Sequence, residues 1–300
     1  MRVCALLLLF PMAGAAATGG TTLTSALLAN ESRQNSAQRT VIVSVVPTAG
    51  GPMRDLTAAD FVVREDGKPR EVKGAARARE PLYVTLLVDT TKPPDSVALL
   101  VRDLRAGLGA FVKTVRGAEP DAQIALYEVA GAAVLTVPFD APAGKLDETI
   151  LKLYPGHPAD TVILEGIGDA ARLLTDTPTP RRAIVVVDFS SSESTSDGSM
   201  KRVTSALHAS GATVWAVSIR PTRTSASVRE HGLNVYTKAS GGMRFTGLEL
   251  SGLETQLQNV ANALLSQYEV TFARPEQSPL RNLQMETKSG QKVLPSPMMR

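Results

Sequence analysis

Leu82-Tyr83-Val84-Thr85-Leu86-Leu87-Val88-Asp89-Thr90-Thr91 is an apolar run that stops on a carboxylate and two hydroxyls. Such a run is typical of a buried parallel strand that delivers oxygen ligands to the rim of an open α/β sheet. Two later segments offer the same chemistry: Asp160-Thr161, which precedes a helical pattern, and residues 184–188, a second apolar strand that ends in Asp188. Oxygens that converge on one rim in this way would form a pocket suited to Mg²⁺ or Ca²⁺.

From Leu82 onward, strand-like segments alternate with segments of helical period. This alternation predicts a doubly wound, mostly parallel sheet flanked by helices, an α/β domain over residues 81–267. Residues 39–80 and 268–297 have strand-like patterns instead, with Asp66-Gly67 as a predicted hairpin turn. Because a few isolated strands cannot bury enough surface, we predict that these two flanks pair in a small β-rich module.

Residues 1–17 have the pattern of an export signal: Arg2, then an apolar run over residues 3–10, then small residues. The apolar run is too short to span a bilayer, so we predict no stable membrane span once the signal is removed. Residues 18–38 lack a sustained period and are predicted to be a disordered linker. The mature protein is therefore expected in the periplasm or cell envelope, or outside the cell.

The composition argues against a nucleic-acid-binding protein. The formal net charge is +3 and aromatic residues make up 4% of the chain, whereas nucleic-acid surfaces need clustered positive charge and stacking partners. Catalysis has little support either, because His157, His208 and His231 lie far apart and no serine has an identifiable base beside it. We therefore expect a protein that is not an enzyme.

Three loops together resemble a known family. Residues 86–91, 160–167 and 184–188 look like the metal-site loops of a von Willebrand factor type A domain, and residues 56–67 resemble the entry segment of exported, acidobacterial-type relatives. The resemblance covers about residues 40–297. It implies a von Willebrand type A fold for the α/β domain, which is Rossmann-like.

The resemblance also implies a metal-ion-dependent adhesion site, built from the motif D-x-S-x-S, a Thr and a second Asp. Asp89, Thr91, Thr161 and Asp188 match it and are the candidate ligands for Mg²⁺, or for Ca²⁺ or Mn²⁺. Pro93 stands where the second serine is expected and has no side-chain oxygen, so the site is degenerate. In such domains the ion binds an acidic side chain of a partner, which implies an unidentified protein ligand that presents an acidic residue.

The same residues also have a purely structural interpretation. Asp89 and Asp188 could accept backbone N–H bonds at strand ends, and Thr161 could be a helix N-cap. The sequence thus leaves three hypotheses open. The first is an exported binding or adhesion module that uses the strand-end rim. The second is an envelope-associated, metal-dependent hydrolase, and the third is a scaffold with a non-functional metal site.

Overall fold

The computed structural model describes residues 38–47, 55–92, 97–189, 193–219, 228–248, 250–274 and 282–299. The predicted signal segment, and the predicted linker up to residue 37, lie outside the described residues. So does Pro93 of the first metal-site loop.

The main regular elements of the described residues are β-strands and α-helices. In chain order the strands are β1 (Gln38–Val45), β2 (Phe61–Glu65), β3 (Lys68–Arg70), β4 (Val72–Arg77), β5 (Tyr83–Asp89), β6 (Gln123–Val129), β7 (Ala133–Val137), β8 (Arg182–Asp188), β9 (Thr213–Ile219), β10 (Arg244–Leu248), β11 (Gln267–Ala273), β12 (Leu283–Thr287) and β13 (Val293–Met299). The α-helices are α1 (Val97–Ala118), α2 (Lys145–Lys152), α3 (Ile163–Thr175), α4 (Asp197–Ser210), α5 (Val228–Ala239) and α6 (Leu253–Leu265).

The central sheet has six strands in the order β10-β9-β8-β5-β6-β7. All neighbours are parallel except β6 and β7. From β5 the chain moves to β6 on one side, and it later returns to β8 on the other. The order therefore reverses between β5 and β8, which is the topological switch point of the sheet. The predicted doubly wound, mostly parallel sheet is confirmed.

Helices cover both faces of this sheet because successive side chains of a strand point to opposite sides. Leu86 and Val88 of β5 pack in one core with residues of α1, α2 and α6. Leu87 packs in a second core with residues of α3, α4 and α5. Strands buried on both faces read as continuous apolar runs, which explains the composition of β5, β8 and β9.

The two flanks of the chain pair with each other. One sheet has the order β13-β1-β11-β4 and another the order β12-β2-β3. Val43 lies opposite Tyr268, and Val63 lies opposite Met285. These four side chains share one apolar core, so the predicted β-rich module from both flanks is confirmed.

The hairpin between β2 and β3 turns at the predicted residues. Asp66 has a φ of 48° and Gly67 a φ of 75°, as a turn with two left-handed central residues requires. The end of the chain differs from the sequence-based expectation, which ended the second β-rich flank at residue 297. β13 instead continues through Pro295 to Met299. Proline is tolerated there because β13 is an edge strand and need not donate on both sides.

A buried ion-pair cluster stabilises the β module. Glu65 is 3% exposed, and its carboxylate accepts hydrogen bonds from Arg274 Nε at 2.8 and 3.0 Å and from Arg70 Nε at 3.1 Å. Burial by itself would raise the pKa of Glu65, but the hydrogen bonds and charges of the two arginines bring the pKa below its ordinary value.

We expect replacement of Glu65 by Gln to destabilise the protein by about 2 kcal/mol at neutral pH, because charge-assisted hydrogen bonds are lost. A carboxyl group whose pKa is lowered by folding contributes stability above its unfolded-state pKa and loses it as the pH falls through the folded-state pKa. Urea unfolding should therefore show the gap between wild type and Glu65→Gln closing below about pH 4. A gap that is constant with pH would contradict this assignment.

Candidate functional site at the strand-end rim

β5 and β8 bring two aspartates to one rim of the central sheet. The strands are parallel neighbours, with Val88 opposite Val187, so their final residues Asp89 and Asp188 lie side by side. The side chains are buried, since Asp89 is 0% and Asp188 is 1% exposed. The two strand-end aspartates therefore lie together at the switch point of the sheet.

Asp89 is held by the loop that follows it. Its Oδ1 accepts hydrogen bonds from the Thr91 backbone N at 2.9 Å and from Thr91 Oγ1 at 2.7 Å, as the structural interpretation of Asp89 predicted. The pKa of Asp89 is raised to about 6, because burial and the charge of Asp188 raise it by more than the bonds from Thr91 and the charge of Arg229 lower it. Because burial disfavours the charged form of Asp89, a nearby cation is needed to keep its carboxyl group ionised as the pH falls.

Thr161 lies at the same rim, but it does not cap a helix. α3 begins at Ile163 with Val162 in the N-cap position, so the N-cap interpretation of Thr161 was wrong. The Thr161 side chain is fully buried, and its Oγ1 has no hydrogen-bond partner among the described residues. Its carbonyl oxygen accepts from the Ser194 backbone N at 2.9 Å, which joins the loop before α3 to the loop after β8.

A buried arginine contacts the second aspartate. Arg229 lies in the first turn of α5 and is 2% exposed. Its Nε lies 3.4 Å from Asp188 Oδ1. The other carboxylate oxygen, Asp188 Oδ2, accepts a hydrogen bond from Ser218 Oγ at 3.1 Å. A guanidinium group thus lies against the carboxylate that the resemblance assigns to a metal ion.

Glu193 adds a third acidic group beside Arg229. Its Oε1 accepts hydrogen bonds from the backbone N and Oγ1 of Thr195. The pKa of Glu193 is raised to about 7, because burial and the charge of Asp188 raise it by more than the bonds from Thr195 and the charge of Arg229 lower it. Three acidic side chains therefore lie within the electrostatic reach of one guanidinium.

A second arginine supports this cluster from outside. Arg244 of β10 makes a two-pronged ion pair with Glu230, with Nη2 at 2.7 Å from Oε1 and Nη1 at 3.0 Å from Oε2. Arg244 Nη2 also donates to Ser218 Oγ at 3.0 Å, and Ser218 donates to Asp188. Because Glu230 follows Arg229 in α5, this ion pair fixes the first turn of that helix against the sheet.

A cavity of about 360 Å³ opens at the rim beside the β6–β7 hairpin. Thr90, Glu128, Val134 and His157 are among its lining residues. His157 lies beside the first rim loop, since its carbonyl oxygen accepts from the Lys92 backbone N at 2.8 Å.

The donor set as it stands does not fit a divalent ion. The carboxylate of Asp188, which an ion would need, already lies against a positively charged guanidinium, and like charges at such distances repel. Among the described residues no group of three or more His, Cys, Asp or Glu side chains is arranged to hold a metal. The unpartnered hydroxyl of Thr161 is the feature that would suit an ion.

Sequence reasoning missed Arg229, Glu193 and the Arg244–Glu230 pair. Charged residues in a predicted helix are usually exposed, and the sequence around Arg229 has no feature that sets it apart. Its burial depends on where α5 starts relative to β8, which only the fold determines. Glu193, in contrast, directly follows the run of serines after β8 in the sequence, which is close enough to have been included.

The comparisons with known proteins agree with this fold. No protein-family model and no curated protein sequence matches the chain. Among solved structures, a von Willebrand factor type A protein from Catenulispora acidiphila aligns with a TM-score of 0.54 and 9% identity, covering 88% of this chain and 73% of that one. The SpRpn10 VWA domain aligns with a TM-score of 0.42 and 13% identity, over 59% of this chain and 95% of that one.

Only the first of these scores exceeds 0.5, and at 9% identity that likeness supports the fold alone. That neighbour is a von Willebrand factor type A protein, so the fold is of the von Willebrand factor type A kind. In the part of the chain that the structure describes, no helix is long and apolar enough to cross a membrane.

Proposed function

We propose that this chain is an exported protein-binding module whose partner docks on the strand-end rim between β5 and β8. One observation carries the proposal: the topological switch point coincides with the buried charge cluster around Asp89 and Asp188. In open α/β sheets ligands bind in the crevice outside the carboxyl ends of the strands at this point. The export pattern of residues 1–17 supports a location in the envelope or outside the cell.

Binding is favoured over hydrolysis because the two strand-end carboxylates of the rim are not open to a substrate. Asp89 and Asp188 are buried, and Asp188 contacts Arg229. A metal-dependent hydrolase would require an ion that this donor set does not fit. The exposed side chains on the rim loops instead include Lys92, Asp160 and Ser194, a mixed polar surface suited to reversible protein contacts.

Site-specific photo-crosslinking in the native host tests this proposal. A photoreactive residue at Asp160 or Ser194 should give a discrete protein adduct in the envelope or secreted fraction, and excess unmodified mature protein should suppress it. Asp121 provides a matched control, because it is exposed and precedes β6 at the opposite edge of the sheet. Equal adducts from all three positions, or none from the rim positions, would contradict rim-directed binding.

A further inference from the structure

We propose that the guanidinium of Arg229 serves as the built-in cation of the rim, in the place where a divalent ion would otherwise neutralise Asp89 and Asp188. The rim would then keep one fixed charge state whether or not divalent ions are present. This inference concerns the same surface as the proposed function, but it does not require that any partner binds there.

The charge distribution supports this assignment. Asp89 and Asp188 end adjacent strands and are almost completely buried, and two like charges so placed cannot both ionise without a cation beside them. Arg229 Nε lies 3.4 Å from Asp188 Oδ1, and its positive charge also acts on Asp89 and Glu193. An arginine remains protonated even when it is buried, so the compensation is permanent.

The position of Arg229 is fixed by its surroundings. Leu233 and Tyr236 anchor α5 in the second core of the α/β domain, and the ion pair between Glu230 and Arg244 holds its first turn. These contacts hold the first turn of α5, and with it the backbone of Arg229, beside the strand ends. A divalent ion at the same carboxylates would therefore meet the positive charge of Arg229.

The oxygen atoms of the rim suggest what removal of Arg229 would leave available. Thr161 Oγ1 is fully buried and has no hydrogen-bond partner in the described part of the chain. Together with the carboxylates of Asp89 and Asp188 it supplies the hard oxygen donors that Mg²⁺ and Mn²⁺ prefer. Shortening Arg229 should thus convert a metal-independent rim into one that responds to divalent ions.

Thermal unfolding of the mature protein with and without millimolar MnCl₂ or MgCl₂ tests the assignment. We expect no shift in the Tm of the wild type. Arg229→Ser should have a lower Tm, and MnCl₂ should raise it again by roughly 5 °C. Arg274→Ser is a matched control, because Arg274 is equally buried and contacts the single carboxylate of Glu65. It should lose stability without recovering in MnCl₂.

Two results would overturn the proposal. The first is saturable binding of Mn²⁺ by the wild type that Asp188→Asn abolishes, since arginine and metal would then coexist. The second is a folded Arg229→Ser variant that does not respond to either ion. If Arg229→Ser does not fold, Arg229→Gln takes its place in the thermal unfolding test. Binding of Mn²⁺ to the wild type is then measured by a titration monitored by electron paramagnetic resonance, and the same two results would overturn the proposal. None of these results depends on the crosslinking outcome, so the two proposals can fail separately.

Discussion

Replacement of Gly242 by alanine is expected to destabilise the protein by at least about 4 kcal/mol, in the range that marks severe core defects. Gly242 precedes β10, and a Cβ atom on it would lie 1.9 Å from the carbonyl oxygen and 2.6 Å from the carbonyl carbon of Val214. The obstacle is backbone rather than a flexible side chain. Val214 belongs to β9, which pairs with β8 on one side and β10 on the other, so relief requires the central sheet to shift.

Chemical unfolding of purified protein measures this loss, and Gly109→Ala is its control. Gly109 lies inside α1, and a Cβ atom there would have no heavy atom within 4 Å. Alanine is the better helix former, so this variant should gain about 1 kcal/mol. If the free energy of unfolding of Gly242→Ala lies within about 1 kcal/mol of the wild-type value, Gly242 approaches the backbone of Val214 less closely than described.

Arg229→Met is expected to cost about 3–5 kcal/mol, because it leaves buried carboxylates without the cation that contacts them. Methionine has a similar length and keeps most of the apolar packing, so the loss reports the charge rather than a cavity. Urea unfolding at neutral pH is the measurement. Arg116→Met is the matched control: its ion pair with Asp147 is at the surface, with side-chain exposures of 39% and 55%, and its loss should cost less than about 1 kcal/mol.

A double-mutant cycle separates the ion pair from other effects of removing Arg229. In the background of Arg229→Met, the further change Asp188→Asn should cost much less than it does in the wild type, because the charge that it removes has already lost its partner. Residues in contact show coupling of about 0.5–3 kcal/mol. Additivity within about 0.3 kcal/mol would mean that Arg229 and Asp188 do not interact energetically.

The rim could be predicted from the sequence because it follows from chain geometry alone. An apolar run that ends in Asp89 and another that ends in Asp188 define two buried parallel strands, and parallel strands bring their carboxyl ends to one edge. The pairing of the two flanks was predictable for a similar reason, since neither flank can form a core by itself.

The electrostatic content of the rim could not be predicted in the same way. Whether Asp188 faces a metal, water or a side chain depends on how α5 packs against β8, and the sequence around Arg229 has no periodic or compositional signal for burial. Thr161 illustrates a local error of the same origin. Its position before a helical pattern suggested an N-cap. In the structure α3 begins at Ile163, and Val162 rather than Thr161 occupies the N-cap position.

A crystal structure of the mature protein grown in millimolar MnCl₂, with anomalous data collected at the manganese absorption edge, tests the central claim most directly. If Arg229 is the built-in cation of the rim, its guanidinium should lie against the Asp188 carboxylate, and the rim should give no anomalous peak. A manganese ion bound between the Asp89 and Asp188 carboxylates, with Arg229 displaced from them, would contradict it.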